Sequence, residues 1–100
     1  MSFYNLLKIK KSNKTDKKLM AIFENCQTGR KKTTHFGAAG MSDFTLHKDI
    51  ERKKRYINRH YKNENWDNPI TAGALSRWIL WNKKTLQESI VDYKKMFKFK

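Results

Sequence analysis

The sequence predicts an α+β fold, in which a small N-terminal antiparallel β-meander of about three strands precedes two to three C-terminal helices. Residues 1–36 contain short apolar segments separated by polar turns, whereas residues 47–98 carry apolar side chains at helical spacings of three and four. Aromatic residues make up 13% of the 100-residue chain, which is typical of a folded domain rather than a disordered tail. Strands that precede helices favour segregated layers, and the length predicts one domain over residues 1–100.

The first predicted strand spans residues 4–10. Its apolar residues alternate, which places Leu7 and Ile9 on one face and Leu6 and Lys8 on the other. The run that follows, residues 11–18, is polar and rich in lysine, and it predicts a loop.

Two more strands are predicted before residue 37. Residues 19–26 form the second, which ends at Cys26, a lone cysteine expected to be small, buried and without a disulfide partner. A turn follows in which Gly29 can adopt a positive φ. Residues 31–36 form the third strand, and the short spacing of all three favours an antiparallel meander.

The pattern becomes helical after a short extended piece at residues 44–46. In the helix predicted over residues 49–62, Ile50, Ile57 and Tyr61 share a narrow apolar face that should pack inward. The opposite face carries Arg52, Arg55 and Arg59.

Two further helices complete the chain. Residues 71–81 are apolar almost all round, with Pro69 expected to open the helix and both of its tryptophans assigned to the core. Thr85 and Glu88 match a capping box. The last helix that they begin has an apolar stripe formed by Leu86, Ile90, Tyr93 and Phe97.

The charge of the chain points to a polyanionic partner. Lysine and arginine number 23 against nine acidic residues, a net charge of +14. The excess is spread: residues 1–34 hold nine basic and two acidic side chains, and residues 69–100 hold seven and two. Such self-repulsion costs stability unless something negative is bound, which leaves nucleic acid, an anionic membrane surface or an acidic protein. No apolar run reaches the roughly 20 residues that a membrane span needs.

Nucleic acid is the partner that the basic side chains fit best. The arginine face can donate paired hydrogen bonds to phosphate oxygens, and the loop lysines can add salt-sensitive contacts. The alternatives are a solvated helix face or arginines that tie the helix to loops or to Asp43. The predicted nucleic-acid-binding residues are Lys11, Lys14, Lys17, Lys18, Arg30, Lys31, Lys32, Arg52, Lys53, Arg55, Arg59, Lys83 and Lys84.

Catalysis is not expected. His35, His47 and His60, with Asp43 and Asp49, are the right residue types for a metal-assisted hydrolase, but their spacing matches no ligand pattern. We therefore predict no metal, no cofactor and no enzymatic activity. Helix-turn-helix, zinc-finger and RNP signatures are also missing from the sequence, so we expect binding that is not sequence-specific.

Residues 35 to about 93 carry a long and unusual set of motifs. These are HFGAAG at 35–40, SDFT at 42–45, HKD at 47–49, RKKRY at 52–56, RH at 59–60, ENW at 64–66 and TAGALSRWILWNK at 71–83. In them the chain resembles the small basic proteins of large nucleocytoplasmic DNA viruses of the mimivirus and phycodnavirus kind. That resemblance leads us to expect a proline at position 84, where this chain has Lys84. The lysine should loosen the connection after the helix.

The resemblance implies a virion component, made in a viral factory in the host cytoplasm. Together with the charge, it predicts a non-sequence-specific DNA-binding protein that neutralises and compacts a viral genome, either through opposite faces of one molecule or as a homodimer. Double-stranded DNA is the expected polymer, with RNA as the alternative. The runner-up function is a minor structural virion protein that binds an acidic protein or a membrane, with a metal-dependent nuclease third.

Overall fold

The computed structural model describes residues 3–99 and confirms the α+β prediction. One antiparallel sheet has the strand order β1-β2-β3, with β1 at Tyr4–Lys11, β2 at Lys17–Asn25 and β3 at Lys31–Ala38. The helices that follow are α1 (Phe44–His47), α2 (Ile50–His60), α3 (Ala72–Leu75) and α4 (Leu86–Met96), and π-helical Ser76–Leu80 continues α3. Within residues 3–99, no helix combines the length and the apolar character needed to cross a membrane.

Strand β1 carries a β-bulge at Leu7. The pairing with β2 shifts between Leu6 and Lys8, so Leu7 has no partner residue and its side chain is 43% exposed. Leu6 and Ile9 pack against the core instead. The predicted face shared by Leu7 and Ile9 was wrong, because one extra residue in a strand reverses the alternation of side chains beyond it.

The turn between β2 and β3 is built by an asparagine side chain. Asn25 Oδ1 accepts hydrogen bonds from the backbone N–H groups of Gln27 (2.8 Å) and Thr28 (3.0 Å). Gly29 has a φ of +74°, as the sequence predicts. Because the strand ends at Asn25, Cys26 lies in the turn and is exposed, which corrects the prediction that it is buried.

Helix α1 occupies the segment that was predicted to be extended. Asp43 precedes it, and its Oδ1 accepts a hydrogen bond from Thr45 N (2.9 Å). Capping by a carboxylate satisfies a free N–H of the first turn. This local hydrogen bond stabilises a single helical turn that the apolar pattern did not reveal.

The core lies between one face of the sheet and the C-terminal helices. Its buried side chains are Ala21, Phe23, Phe36, Leu75, Ile79, Leu80 and Tyr93. Trp78 and Trp81 are half-buried and pack against this cluster, in line with their assignment to the core. Tyr93 is completely buried and its hydroxyl donates to Pro69 O (2.6 Å), which ties α4 to the segment before α3.

Helix starts are set by threonine rather than by proline. Thr71 Oγ1 accepts from Ala74 N (3.2 Å) at the start of α3, so Pro69 does not open the helix as expected. Thr85 Oγ1 accepts from Glu88 N (3.1 Å), which confirms that Thr85 caps α4, while the Glu88 carboxylate accepts from the Thr85 hydroxyl (2.9 Å). In both cases the side-chain oxygen satisfies an N–H that the first turn leaves free.

Gly37 in β3 should tolerate no side chain. Its φ is +79°, and a Cβ built on it would lie 2.6 Å from Leu80 Cδ1. We expect Gly37→Ala to lower the free energy of unfolding by about 2–4 kcal/mol, because left-handed strain and overpacking add. Urea unfolding measures the change.

Gly29→Ala is the matched control for this substitution. Gly29 has a similar φ of +74°, but nothing lies within 4 Å of an added Cβ. Its loss should be about 1 kcal/mol, from backbone strain alone. Equal losses at the two positions would contradict close packing of Leu80 against Gly37.

Candidate nucleic-acid interface

Helix α2 presents its arginines to solvent. Asp49 caps the helix, since its Oδ1 accepts hydrogen bonds from Glu51 N (3.0 Å) and Arg52 N (3.4 Å). The cap places Arg52, Arg55 and Arg59 along one side, and all three are exposed. This is the arginine face that the spacing predicts.

The inward face of α2 differs from the prediction. Ile50 and Tyr61 are 52% and 53% exposed, and Tyr56 is the residue that the helix buries. Its ring stacks on Trp81, with a centroid separation of 4.4 Å and an interplanar angle of 3°. Ile50 and Tyr61 lie at the two ends of the helix, whereas the packing is made at its middle, where two large rings bury most area.

Four rings in contact attach α2 to the body of the protein. His47 lies 5.3 Å from Trp81, Trp81 stacks on Tyr56, and Tyr56 lies 4.4 Å from His60, all measured between ring centroids. Burial, with the nearby Glu64 carboxylate, raises the pKa of Tyr56, which is therefore a neutral phenol at neutral pH. We refer to His47, Trp81, Tyr56 and His60 as the aromatic column.

The arginine face has no partner of its own. Within residues 3–99, none of Arg52, Arg55 and Arg59 makes a side-chain hydrogen bond or an ion pair. Asp43, the carboxylate that could have tied them down, is buried and accepts from Lys18 and Thr45 instead. The three guanidinium groups are therefore free to meet an outside anion.

A second group of cations lies in the loop between β1 and β2 and at the strand ends beside it: Lys14 is in the loop, Lys11 ends β1 and Lys17 begins β2. Lys11 and Lys14 are exposed, and Lys17 is half-buried, and none of them has a side-chain partner within residues 3–99. Lys18 differs, because its Nζ lies 2.5 Å from Asp43 Oδ2, whose side chain is only 3% exposed. Lys18 therefore acts inside the fold and is less available to phosphate than its neighbours.

Lys53 also has partners inside the protein. Its Nζ donates to Asn82 O (2.8 Å) and lies 4.9 Å from the centroid of the Phe44 ring. Burial, with the positive charges of Arg77 and Lys83 close by, lowers the pKa of Lys53. Lys53 therefore links α2 to the body rather than pointing into solvent.

The rest of the predicted set lies on the surface, outside α2. Lys31 Nζ is 3.8 Å from Glu24 Oε2, an exposed pair that contributes little to stability. The other exposed cations are Arg30 and Lys32 beside the β2–β3 turn, and Lys83 and Lys84 before α4.

The outer face of the sheet is a basic surface that the sequence analysis missed. Lys8 pairs across the strands with Ile22, and Lys10 pairs with Met20, which in turn pairs with His35. Neighbours of the core residues in β2 point to the face of the sheet opposite the core, and Lys8 and Lys10, both exposed, lie on that face. The alternation of Lys8 and Lys10 in β1 was the available sequence signal.

The three histidines lie apart. His35 Nδ1 is hydrogen-bonded to Ser12 Oγ (2.7 Å), His47 packs on Trp81, and His60 packs on Tyr56. In the part of the chain that the structure describes, no group of three or more histidine, cysteine or acidic side chains could hold a metal ion.

Comparison with known proteins gives a family without a known function. The family of unknown function DUF5754 matches residues 7–60, which run from β1 to the end of α2. The matched region therefore contains the sheet, the loop lysines and the arginine face. No curated protein and no solved structure matches the chain.

His47 should make stability depend on pH. Burial, followed by the charge of Arg52, lowers the pKa of His47 from its ordinary value of 6.5, and the opposing carboxylates of Asp49 and Asp43 do not offset this. The unfolded chain takes up the proton near pH 6.5 and the folded chain only at lower pH. The stabilisation is therefore complete above pH 6.5 and is lost as the pH falls below it.

We expect the free energy of unfolding to fall more steeply between pH 7 and about pH 5.5 in the wild type than in His47→Gln. Urea unfolding at several pH values measures both slopes. The substitution cancels the contribution of this ring while leaving the carboxylate titrations in place. Identical slopes would mean that the His47 ring is as well solvated in the folded as in the unfolded chain.

Proposed function

The chain belongs to the DUF5754 family, a family of unknown function, and we propose that it is a non-catalytic protein that binds DNA without sequence specificity and compacts a viral genome. The observation that carries the proposal is the surplus of cations that have no partner. Arg52, Arg55, Arg59, Lys11, Lys14 and Lys17 make no side-chain hydrogen bond or ion pair within residues 3–99.

Phosphate is the anion that these groups fit best. A guanidinium donates two parallel hydrogen bonds to a pair of oxygens, and three exposed guanidinium groups along one helix side can each meet a backbone phosphate. Lysines on a loop adapt to phosphates without fixed geometry. A net charge of +14 on a chain of 100 residues repels itself, and a polyanion relieves that repulsion.

The position of the cations favours binding to the backbone of DNA rather than to base edges. They lie on a helix side, on a loop and around a turn, and contacts from such flexible side chains carry charge but little sequence information. RNA offers the same phosphates, and double-stranded DNA is proposed because genome compaction is the role that the virion resemblance of residues 35 to about 93 implies.

Compaction requires one protein molecule or one protein assembly to hold two duplex segments at once. The arginine face of α2 is one basic surface, and the face of the sheet opposite the core, with Lys8 and Lys10, is another. We propose that one molecule bridges two segments through these two surfaces. A homodimer that joins two copies of one surface is the alternative, and the number of molecules per bridge distinguishes the two.

Replacing Arg52, Arg55 and Arg59 together by glutamine should weaken binding to unrelated duplexes. Each lost phosphate contact should make the slope of log K against log salt concentration less steep by about 0.9. The slope of the triple variant should therefore be smaller in magnitude by about 2.7. Fluorescence anisotropy with labelled duplexes, titrated from low to physiological salt, measures this slope.

Lys94→Gln, Lys95→Gln and Lys98→Gln form the matched control, because they remove three charges near the end of α4, outside the proposed surfaces. This control should change the slope by clearly less. If the arginine variant fails to fold by circular dichroism, the arginines are structural and the assignment fails. If neither the wild type nor the variants bind duplex DNA, the better explanation is the runner-up role, in which the partner is an acidic virion protein or a membrane.

Bridging should need both basic surfaces at once. Wild-type protein should bring two differently labelled duplexes together in a fluorescence transfer assay. Lys8→Gln with Lys10→Gln, and separately the arginine variant, should each still bind a single duplex but lose the transfer signal. A transfer signal that survives both changes, with protein dimers detected by sedimentation, would replace the two-surface mechanism by the homodimer.

A further inference from the structure

A cleft of about 430 Å³ lies between the sheet and α2. One wall comes from the start of β2 and the end of β3, and the other from the end of α2 and from α3. Its size is within the range of small-molecule sites in proteins, roughly 300–1,000 Å³. The functions considered above use two of its residues, Lys17 and Arg59, but assign no role to the cleft itself.

Two charges of the cleft wall remain after its internal pairs are counted. Lys18 is paired with Asp43 at 2.5 Å, and His60 Nδ1 lies 3.6 Å from Glu64 Oε1. Glu64 Oε2 also accepts a hydrogen bond from Trp66 Nε1 (2.9 Å). Both carboxylates are therefore engaged inside the fold.

Lys17 and Arg59 are the two charges left. They come from β2 and α2, elements far apart in the sequence, and both line the cleft. Neither makes a side-chain hydrogen bond or an ion pair within residues 3–99. Two unpaired cations on one cleft complement the charge of a phosphate group.

The interior of the cleft suits an aromatic group with polar edges. Tyr56 and Ser76 line it, and neither hydroxyl has a hydrogen-bond partner within the described residues. The neutral phenol of Tyr56 is available as a donor. His60, the last ring of the aromatic column, also lines the cleft, and its side chain is 41% exposed. A planar ring can extend the column at that end.

The cleft wall formed by α3 contains a glycine, which adds no side chain to it. A Cβ on Gly73 would lie 3.1 Å from the Glu64 carboxylate carbon, closer than most real contacts. Glycine is a poor helix former, yet it stands in α3 where alanine would favour the helix more. Because Gly73 has no Cβ, the Glu64 carboxylate can pack close to α3 and the cleft stays open.

The cleft continues into a basic groove. A second depression is lined by Lys11, Lys14, Lys17 and Lys18, and so shares two lysines with the cleft. A chain that leaves the cleft along this groove passes successive cations. The geometry therefore suits one unit of a polymer better than an isolated small molecule.

We propose that the cleft binds one unpaired nucleotide of a nucleic acid strand. Its phosphate lies between Lys17 and Arg59, its base packs on His60, and the adjoining phosphates follow the groove toward Lys14 and Lys11. This deepens the proposed function and rests on it, since the backbone cations bring the strand to the cleft.

The test compares three probes: a blunt duplex, the same duplex with a three-nucleotide single-stranded overhang, and a free nucleoside monophosphate. Binding is followed by anisotropy for the duplexes and by tryptophan fluorescence for the mononucleotide. Wild-type protein should bind the overhang about five- to tenfold more tightly than the blunt duplex, as one stacked base predicts. The mononucleotide should bind far more weakly than the overhang.

Two kinds of variant locate the effect in the cleft. The double variant Lys17→Gln with Arg59→Gln should abolish the preference for the overhang. The charge-matched double variant Lys83→Gln with Lys84→Gln should lower the affinity for the blunt and the overhang duplex by the same factor and so retain the preference. Ala72→Leu leaves every charge in place and narrows the cleft at an exposed position, so it should also reduce the preference.

The outcomes separate this inference from the proposed function. Equal binding of blunt and overhang duplexes, or a preference that the Lys17 and Arg59 changes leave intact, would overturn the cleft assignment while leaving DNA binding standing. A mononucleotide that binds as tightly as the overhang would overturn the strand assignment and make the cleft a site for free nucleotides. Failure to bind any nucleic acid would overturn both proposals together.

Discussion

The stack of Tyr56 on Trp81 is the contact on which the position of the basic helix depends. Tyr56 is the residue that α2 buries, and the two rings are almost parallel at 4.4 Å. Trp81 can receive it because of the chain just before. Ser76–Leu80 is π-helical, and Trp81 N donates to Ser76 O (3.1 Å) across the wider turn. Ile79 and Leu80 stay in the core while Trp81, half-buried, ends the helix where α2 packs.

Several acidic residues serve the fold rather than the arginine face. Asp43 caps α1 and holds Lys18, Glu64 holds Trp66 and lies beside His60, and the carboxylate of Asp92 accepts from Asn82. These carboxylates join pieces of the fold, so they are not available to neutralise the surface. Within residues 3–99, no carboxylate pairs with Arg52, Arg55 or Arg59, and the folded state carries a repulsion that an outside polyanion can relieve.

Local sequence patterns predict most of the fold and the arginine face, whereas the remaining features depend on long-range packing. Strands and helices follow periods of 2 and 3.6 that are visible in the sequence, and the same period brought the three arginines to one side. The bulge at Leu7 and the helical turn at α1 depend on one residue each, through a register shift and through the Asp43 cap. The inward face of α2 depends on contact with Trp81, and the cleft depends on the fold bringing Lys17 and Arg59 to its wall. Neither long-range relation is visible in the local spacing of the sequence.

The exposed cations and the cleft would act on a strand in different ways. Fully solvated charges act through a screened field that decays within about 10 Å at 0.1 M salt, so they gather a polyanion but discriminate little between its forms. Lys17 is half-buried at the cleft, where screening by salt is weaker and a wrongly shaped group meets the walls. A duplex holds its bases inside and cannot place one on His60, whereas an unpaired nucleotide can. Any preference among nucleic acids should therefore arise at the cleft, while the affinity common to all of them arises at the arginine face and at Lys11 and Lys14.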